Sequence, residues 1–134
     1  MFEYHFENGG AVITGSTSTE EYIFVPEMLD GCPVTAIGER AFYGQKQCKK
    51  ITLPDTVNTI AAYAFAECRS LEYVKMPKAL ISIGDYAFYN CHALKETDLF
   101  SYLKTMGYGA FKNCSELKLV NIYADEGQKL VIGA

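Results

Sequence analysis

The chain has 134 residues, 49% of them hydrophobic and 21% charged, with a formal net charge of -4. That is the length of a single domain with enough apolar side chain for a core, which excludes a disordered composition. Charges of both signs are mixed along the sequence, so no basic face for nucleic acid is expected, and no apolar run approaches the roughly 18–20 residues that cross a bilayer.

The first ten residues, Met1 to Gly10, have neither a basic start nor an apolar stretch, so they do not read as a signal peptide. Two compartments stay open: the interior of a cell, or the outside, with the chain as part of a larger secreted protein. Phe2-Glu3-Tyr4-His5-Phe6 alternates, Asn8-Gly9-Gly10 supplies a turn, and Ala11 to Thr14 alternates again, which predicts a β-hairpin. A polar loop comes next over Gly15 to Glu20. Glu21 to Val25 reads as a strand stopped by Pro26, and Asp30-Gly31 as a further turn. Residues 1–36 are expected to cap one end of a repetitive body.

That body is marked by a fixed interval. Ala-Phe occurs at Ala41-Phe42, Ala64-Phe65, Ala87-Phe88 and Ala110-Phe111, each pair 23 residues after the last. The same interval links Ile37, Ile60, Ile83 and Met106. It links Ile51, Val74, Thr97 and Val120, and also Leu53, Met76, Leu99 and Ile122. Cys68, Cys91 and Cys114 form another column, as do Cys48, Leu71, Leu94 and Leu117, and Val57, Leu80 and Leu103. One such unit cannot bury its own apolar side, so stacked units are expected to place like residues over one another around a shared core. Four units fill residues 37–123, and the interior row Phe42, Phe65, Phe88 and Phe111 with the thiols Cys68, Cys91 and Cys114 is predicted as the structural core ladder.

Within one unit, Tyr73-Val74-Lys75-Met76 alternates as a half-buried strand does, and Pro77 ends it as Pro54 does one unit earlier. Leu80 to Ile83 crosses the opposite side, and Gly84 is read as turning the chain. Asp85-Tyr86-Ala87-Phe88-Tyr89-Asn90 reads as one to two helical turns capped by Asp85. The run Ile83 to Cys91, followed by Leu94, resembles the 23-residue leucine-rich repeat of BspA-type bacterial surface proteins, and Val34 to Phe42 with Ile51-Thr52-Leu53-Pro54 fits the same pattern. The resemblance spans about residues 26 to 123, with Phe100 and Tyr123 where the pattern has proline and Gln45 where it has cysteine. The fold expected is therefore an α/β leucine-rich-repeat solenoid: a parallel strand ladder, short helices on the other face, and an N-terminal β-hairpin cap. The resemblance also implies an extracellular or cell-surface protein, since the family's members are mostly secreted or surface-anchored and some act as adhesins or host-protein binders.

Residues 124–134 form the C-terminal part of this single structural domain. Lys129 to Ile132 is a short apolar strand that either folds over the last repeat as a partial cap or begins a further turn. An uncovered end would leave strand edges free, and an end-to-end homodimer is then one outcome.

Little in the sequence points to catalysis. The cysteines contain no close pair of the Cys-x-x-Cys kind, so no metal is expected, and they read as reduced thiols filling a core. His92 occupies a variable position of the repeat and His5 lies in the hairpin, neither with a repeated acidic partner. No Gly-x-Ser-x-Gly, His-Glu-x-x-His or phosphate loop occurs, and no cofactor is expected. What varies between units is the outward side of the strands: Lys50 and Thr52, Tyr73 and Lys75, Glu96 and Asp98, Leu119 and Asn121. These are the candidate ligand contacts of a non-enzymatic module for a protein or a glycan. The alternatives are a spacer or piece of a longer solenoid without a ligand of its own, or an intracellular scaffold.

Overall fold

The computed structural model describes residues 1–123 and the strand Val131–Ile132. Strands β1 (Phe2–Glu7) and β2 (Gly10–Ser16) form an antiparallel hairpin whose two loop residues, Asn8 and Gly9, both take positive φ. That is the loop an Asn-Gly pair favours, because its twist matches that of the flanking strands. Strand β3 (Tyr22–Phe24) comes next, and then a second hairpin, β4 (Met28–Leu29) with β5 (Cys32–Ile37), turns on Asp30-Gly31, again at positive φ.

Beyond β5 the chain winds regularly. It passes in turn through β6 (Lys50–Thr52), β7 (Thr59–Ile60), β8 (Tyr73–Lys75), β9 (Ser82–Ile83), β10 (Glu96–Phe100), β11 (Thr105–Met106), β12 (Leu119–Tyr123) and β13 (Val131–Ile132). One stack of strands runs β1-β2-β5-β7-β9-β11-β13, parallel from β2 onward. The other consists of β3-β6-β8 and then β10-β12, also parallel. Strands β2 and β3 thus lie on the same two stacks as the repeat strands, and five coils result. The partial cap expected over 124–134 lies, apart from Val131–Ile132, outside the described residues.

No helix occurs among the described residues, which corrects the α/β expectation: the solenoid is all β. The reason lies in where the N–H groups of the third side go. Those of Arg40, Phe42 and Gly44 donate to the carbonyls of Ala62, Ala64 and Ala66 in the next coil, while those of Ala41, Tyr43 and Gln45 close tight turns within their own. Tyr63, Phe65 and Glu67 repeat the forward pattern toward Asp85, Ala87 and Tyr89. A helix needs every N–H to reach four residues back in its own chain. Here Arg40, Tyr63, Tyr86 and Gly109 take positive φ, as do Gly44, Glu67, Asn90 and Asn113 four residues on. That alternation is incompatible with a right-handed helix. Asp85 accordingly caps nothing in its own turn; its Oδ1 accepts the N–H of Tyr108 at 2.8 Å, one coil away, just as Asp55 accepts that of Lys78 at 2.9 Å. Gly84 also has a different role from the one expected. A Cβ there would lie 2.5 Å from the backbone nitrogen of Ala62, so the position needs glycine for close approach of coils.

The core follows the columns. Ile13, Ile37, Ile60 and Ile83 are buried in one, Ile23, Ile51 and Val74 in a second, and Val25, Leu53, Met76 and Leu99 in a third. The phenylalanines form one interior row, with ring centroids 5.2, 5.0 and 5.0 Å apart and planes within 6° of parallel. Phe42, Phe65 and Phe88 are fully buried, whereas Phe111, in the last coil, is only partly so. Val120 and Ile122, read from the repeat as interior positions, are 45% and 59% exposed, because among the described residues no strand stacks beyond β12.

Phe88 is stacked on both faces, so Phe88→Ala should lower the unfolding free energy by about 3–5 kcal/mol, and Phe111→Ala by distinctly less. Equal losses in urea denaturation would contradict the buried row. Thr97 sits in the second column with its hydroxyl sealed from solvent and without a hydrogen-bond partner among the described residues. An unpaired buried hydroxyl costs about 1–3 kcal/mol, so Thr97→Val, nearly the same shape, should raise the melting temperature measured by circular dichroism.

Candidate functional site

The second stack turns its inward positions to the core and the alternate ones to the outside. In coil order the outward pairs are Tyr22 and Phe24, Lys50 and Thr52, Tyr73 and Lys75, Glu96 and Asp98, Leu119 and Asn121. Registration is strict: Tyr22, Lys50 and Tyr73 are successive cross-strand neighbours, and so are Phe24, Thr52 and Lys75. Asp98 likewise opposes Asn121. All eight residues expected from the sequence therefore lie on one face. Lys50, Lys75 and Leu119 are exposed; Thr52, Tyr73, Glu96, Asp98 and Asn121 are partly buried.

Tyr22 and Phe24 extend that face and were not anticipated. They are 66% and 70% exposed, the most open aromatic rings among the described residues. The hairpin β4–β5 stretches the interval from Tyr22 to Lys50 to 28 residues, which hides the first coil from a search at 23. A signal was present nonetheless: Tyr22-Ile23-Phe24-Val25-Pro26 has the same alternation and terminal proline as Lys50-Ile51-Thr52-Leu53-Pro54.

The face changes character along the axis. Its first half carries the two exposed rings and two lysines, with the Lys50 ammonium 5.7 Å from the centre of the Tyr73 ring. Its second half is acidic. Asn121 Nδ2 donates to Asp98 Oδ1 at 2.9 Å and to Glu96 Oε2 at 3.3 Å, and the Tyr73 hydroxyl donates to Asp98 Oδ2 at 3.5 Å. Partial burial, and then the nearby carboxylates of Asp98 and Glu96, push the Tyr73 phenol above its usual range. Among the described residues none of Lys50, Lys75, Glu96 and Asp98 forms an ion pair, whereas Glu21–Lys49 and Glu72–Lys95 pair at the strand entrances. The four charges of the face are thus available to an incoming partner.

Strand length also changes. Pro54 and Pro77 follow three-residue strands, since proline has no N–H for the ladder. Phe100 and Tyr123 replace them, and β10 and β12 run to five residues, with the two rings stacked at 5.2 Å.

The cysteines hold the structure. Cys68, Cys91 and Cys114 each donate a thiol hydrogen to the carbonyl of Phe42, Phe65 or Phe88 at 3.0 Å, tying each coil to the one before. Cys68 and Cys91 are buried and Cys114 partly so. Contact with the neighbouring thiols of Cys114 and Cys68, together with burial, pushes Cys91 far up, and burial raises Cys48 to about 11. Neither is a thiolate nucleophile at neutral pH. His92 faces Ser115, not a thiol. Among the described residues no group of three or more His, Cys, Asp or Glu is placed to hold a metal ion.

This architecture has close relatives. A leucine-rich repeat protein from Bacteroides capillosus is 33% identical, over 90% of this chain and 91% of that one, with a TM-score of 0.74. The leucine-rich repeat protein TpLRR of T. pallidum, at 22% identity, shares the fold over 98% of this chain and 83% of its own, with a TM-score of 0.73. A leucine-rich cell surface protein from Faecalibacterium prausnitzii is 25% identical over 90% of this chain, which spans only 41% of that longer protein, with a TM-score of 0.72. No curated protein matches the sequence at a significant level. The BspA type leucine-rich repeat region matches residues 31–128 in six copies, and the chain belongs to that family.

Proposed function

We propose that the chain is a non-enzymatic protein-binding module of a bacterial surface or secreted, adhesin-like protein, and that it engages its partner through the outward face of the second strand stack. The observation that carries this reading is the contrast between two sides of the same strands. The inward columns repeat nearly unchanged from coil to coil, while the outward pairs differ at every coil and include exposed aromatic rings and charges that form no ion pair among the described residues. Exposed aromatic residues flanked by charge are what protein interfaces use as anchors. Family membership supports a binding role, and the cell surface description of the Faecalibacterium relative supports the location.

The test compares the chain with a variant carrying Tyr22→Ala, Phe24→Ala, Tyr73→Ala, Lys75→Ala, Glu96→Ala and Asp98→Ala. Both are passed over a panel of purified mammalian matrix and plasma proteins by surface plasmon resonance. The parent should bind at least one panel member. The variant should lose about ten-fold or more in affinity, which is roughly 1.4 kcal/mol, with its melting temperature within a few degrees of the parent's. Undiminished binding by a folded variant would exclude this face.

A further inference from the structure

The first strand stack carries a feature that the strand-face reading does not use. On its outer side lies an open cleft of about 640 Å³, between the N-terminal hairpin and the second and third coils. Its origin is in the sequence. One cross-strand row runs His5, Val12, Ala36, Thr59, each opposite the next. The inward neighbours Ile13, Ile37 and Ile60 are buried, so this row faces out. Ala36, Gly38 and Ala61 keep the floor low because their side chains barely rise above the backbone. His5 and Glu7 make one wall, joined to each other at 2.6 Å, and Thr35, Asn58 and Thr59 stand across the floor.

We propose that this cleft is a second binding site, for a neutral saccharide unit. Its volume lies within the roughly 300–1,000 Å³ of small-molecule sites. Among the described residues the lining contains no lysine or arginine but two carboxylates, Glu7 and Glu39, which disfavours phosphate and other anions. It contains no aromatic ring, so a flat apolar ligand gains little there. What it offers is a dense set of neutral donors and acceptors beside strong acceptors. The Thr59 hydroxyl donates to Asn58 Oδ1 at 3.0 Å, which leaves the Asn58 amide hydrogens as donors and the Thr59 oxygen as an acceptor. Glu7, steadied by His5, adds a carboxylate that forms the stronger, charge-assisted kind of bond with a hydroxyl. Sugar hydroxyls donate and accept at once, and only a ligand with several of them uses such a lining fully.

The experiment is a titration of the isotope-labelled chain with N-acetylglucosamine, galactose and mannose in separate NMR series, with anionic N-acetylneuraminic acid as the comparison. At least one neutral sugar should move amide signals of Val12, Ala36 and Thr59 and leave those of Tyr73 and Asp98 in place. Ala36→Leu, which raises the floor at an outward position, should weaken that sugar about ten-fold or more. Asn58→Ala with Thr59→Val, which keeps the floor but removes the polar wall, should do the same. The strand-face variant should bind the sugar like the parent, so failure of either site is read separately. No shift with any neutral sugar, shifts that survive in folded Ala36→Leu and Asn58→Ala/Thr59→Val, or binding of N-acetylneuraminic acid alone would each overturn the proposal.

Discussion

On the third side of the coils, every second main-chain N–H is satisfied one coil away instead of within a helix, and most of the molecule depends on that. The bonds from Phe42 to Ala64, from Phe65 to Ala87 and from Phe88 to Ala110 hold adjacent turns at a constant offset, at 2.7–2.8 Å. The same offset brings the phenylalanine rings into one stack and the thiols of Cys68, Cys91 and Cys114 onto the preceding carbonyls. An insertion within a coil would strand these donors beside a dry core, where each unpaired group costs a full desolvation penalty. The uninterrupted 23-residue spacing is thus the covalent record of a hydrogen-bonding requirement.

Constancy inside leaves freedom outside. Outward side chains of the second stack lie off the core columns, so Lys50 and Tyr73 can be cross-strand neighbours, with Glu96 following on β10, without disturbing the core. Charges at the strand entrances are neutralised locally by Glu21–Lys49 and Glu72–Lys95. Among the described residues, those on the face are met by neutral amide, phenol and ring contacts. Rings and charges therefore stand side by side on this face, above a core that stays constant from coil to coil.

The two ends of the solenoid differ for the same reason. At the first coil, β1 pairs with β2, and Phe2 packs edge-on against Phe42 at 6.5 Å. The interior there, at Ile23 and Val25, is closed. The hairpin also extends the first stack, and its His5 and Glu7 line the cleft beside Ala36, so a capping device contributes to a concave surface. Among the described residues, the columns at β12 instead reach exposed Val120 and Ile122.

Repetition made the coils, the phenylalanine row and the eight outward residues legible from the sequence, because apolar alternation in a strand leaves only one inward side. Tyr22 and Phe24 escaped because a hairpin lengthens the interval before Lys50, although their strand and its proline stop were visible. The predicted helix over Asp85 to Asn90 failed for a different reason. Local propensity weighs a segment against its own neighbours, whereas every second donor of this one is taken by a carbonyl 22 residues further along, as Phe88 to Ala110 shows. The sequence by itself determined the repeat, its core columns and its variable face, since these depend on composition at fixed spacing. Only the tertiary structure decided the backbone of the turns, the union of the first coil's aromatics with the strand face, and the cleft beside the hairpin. Each of those depends on contacts between coils, which no local pattern encodes.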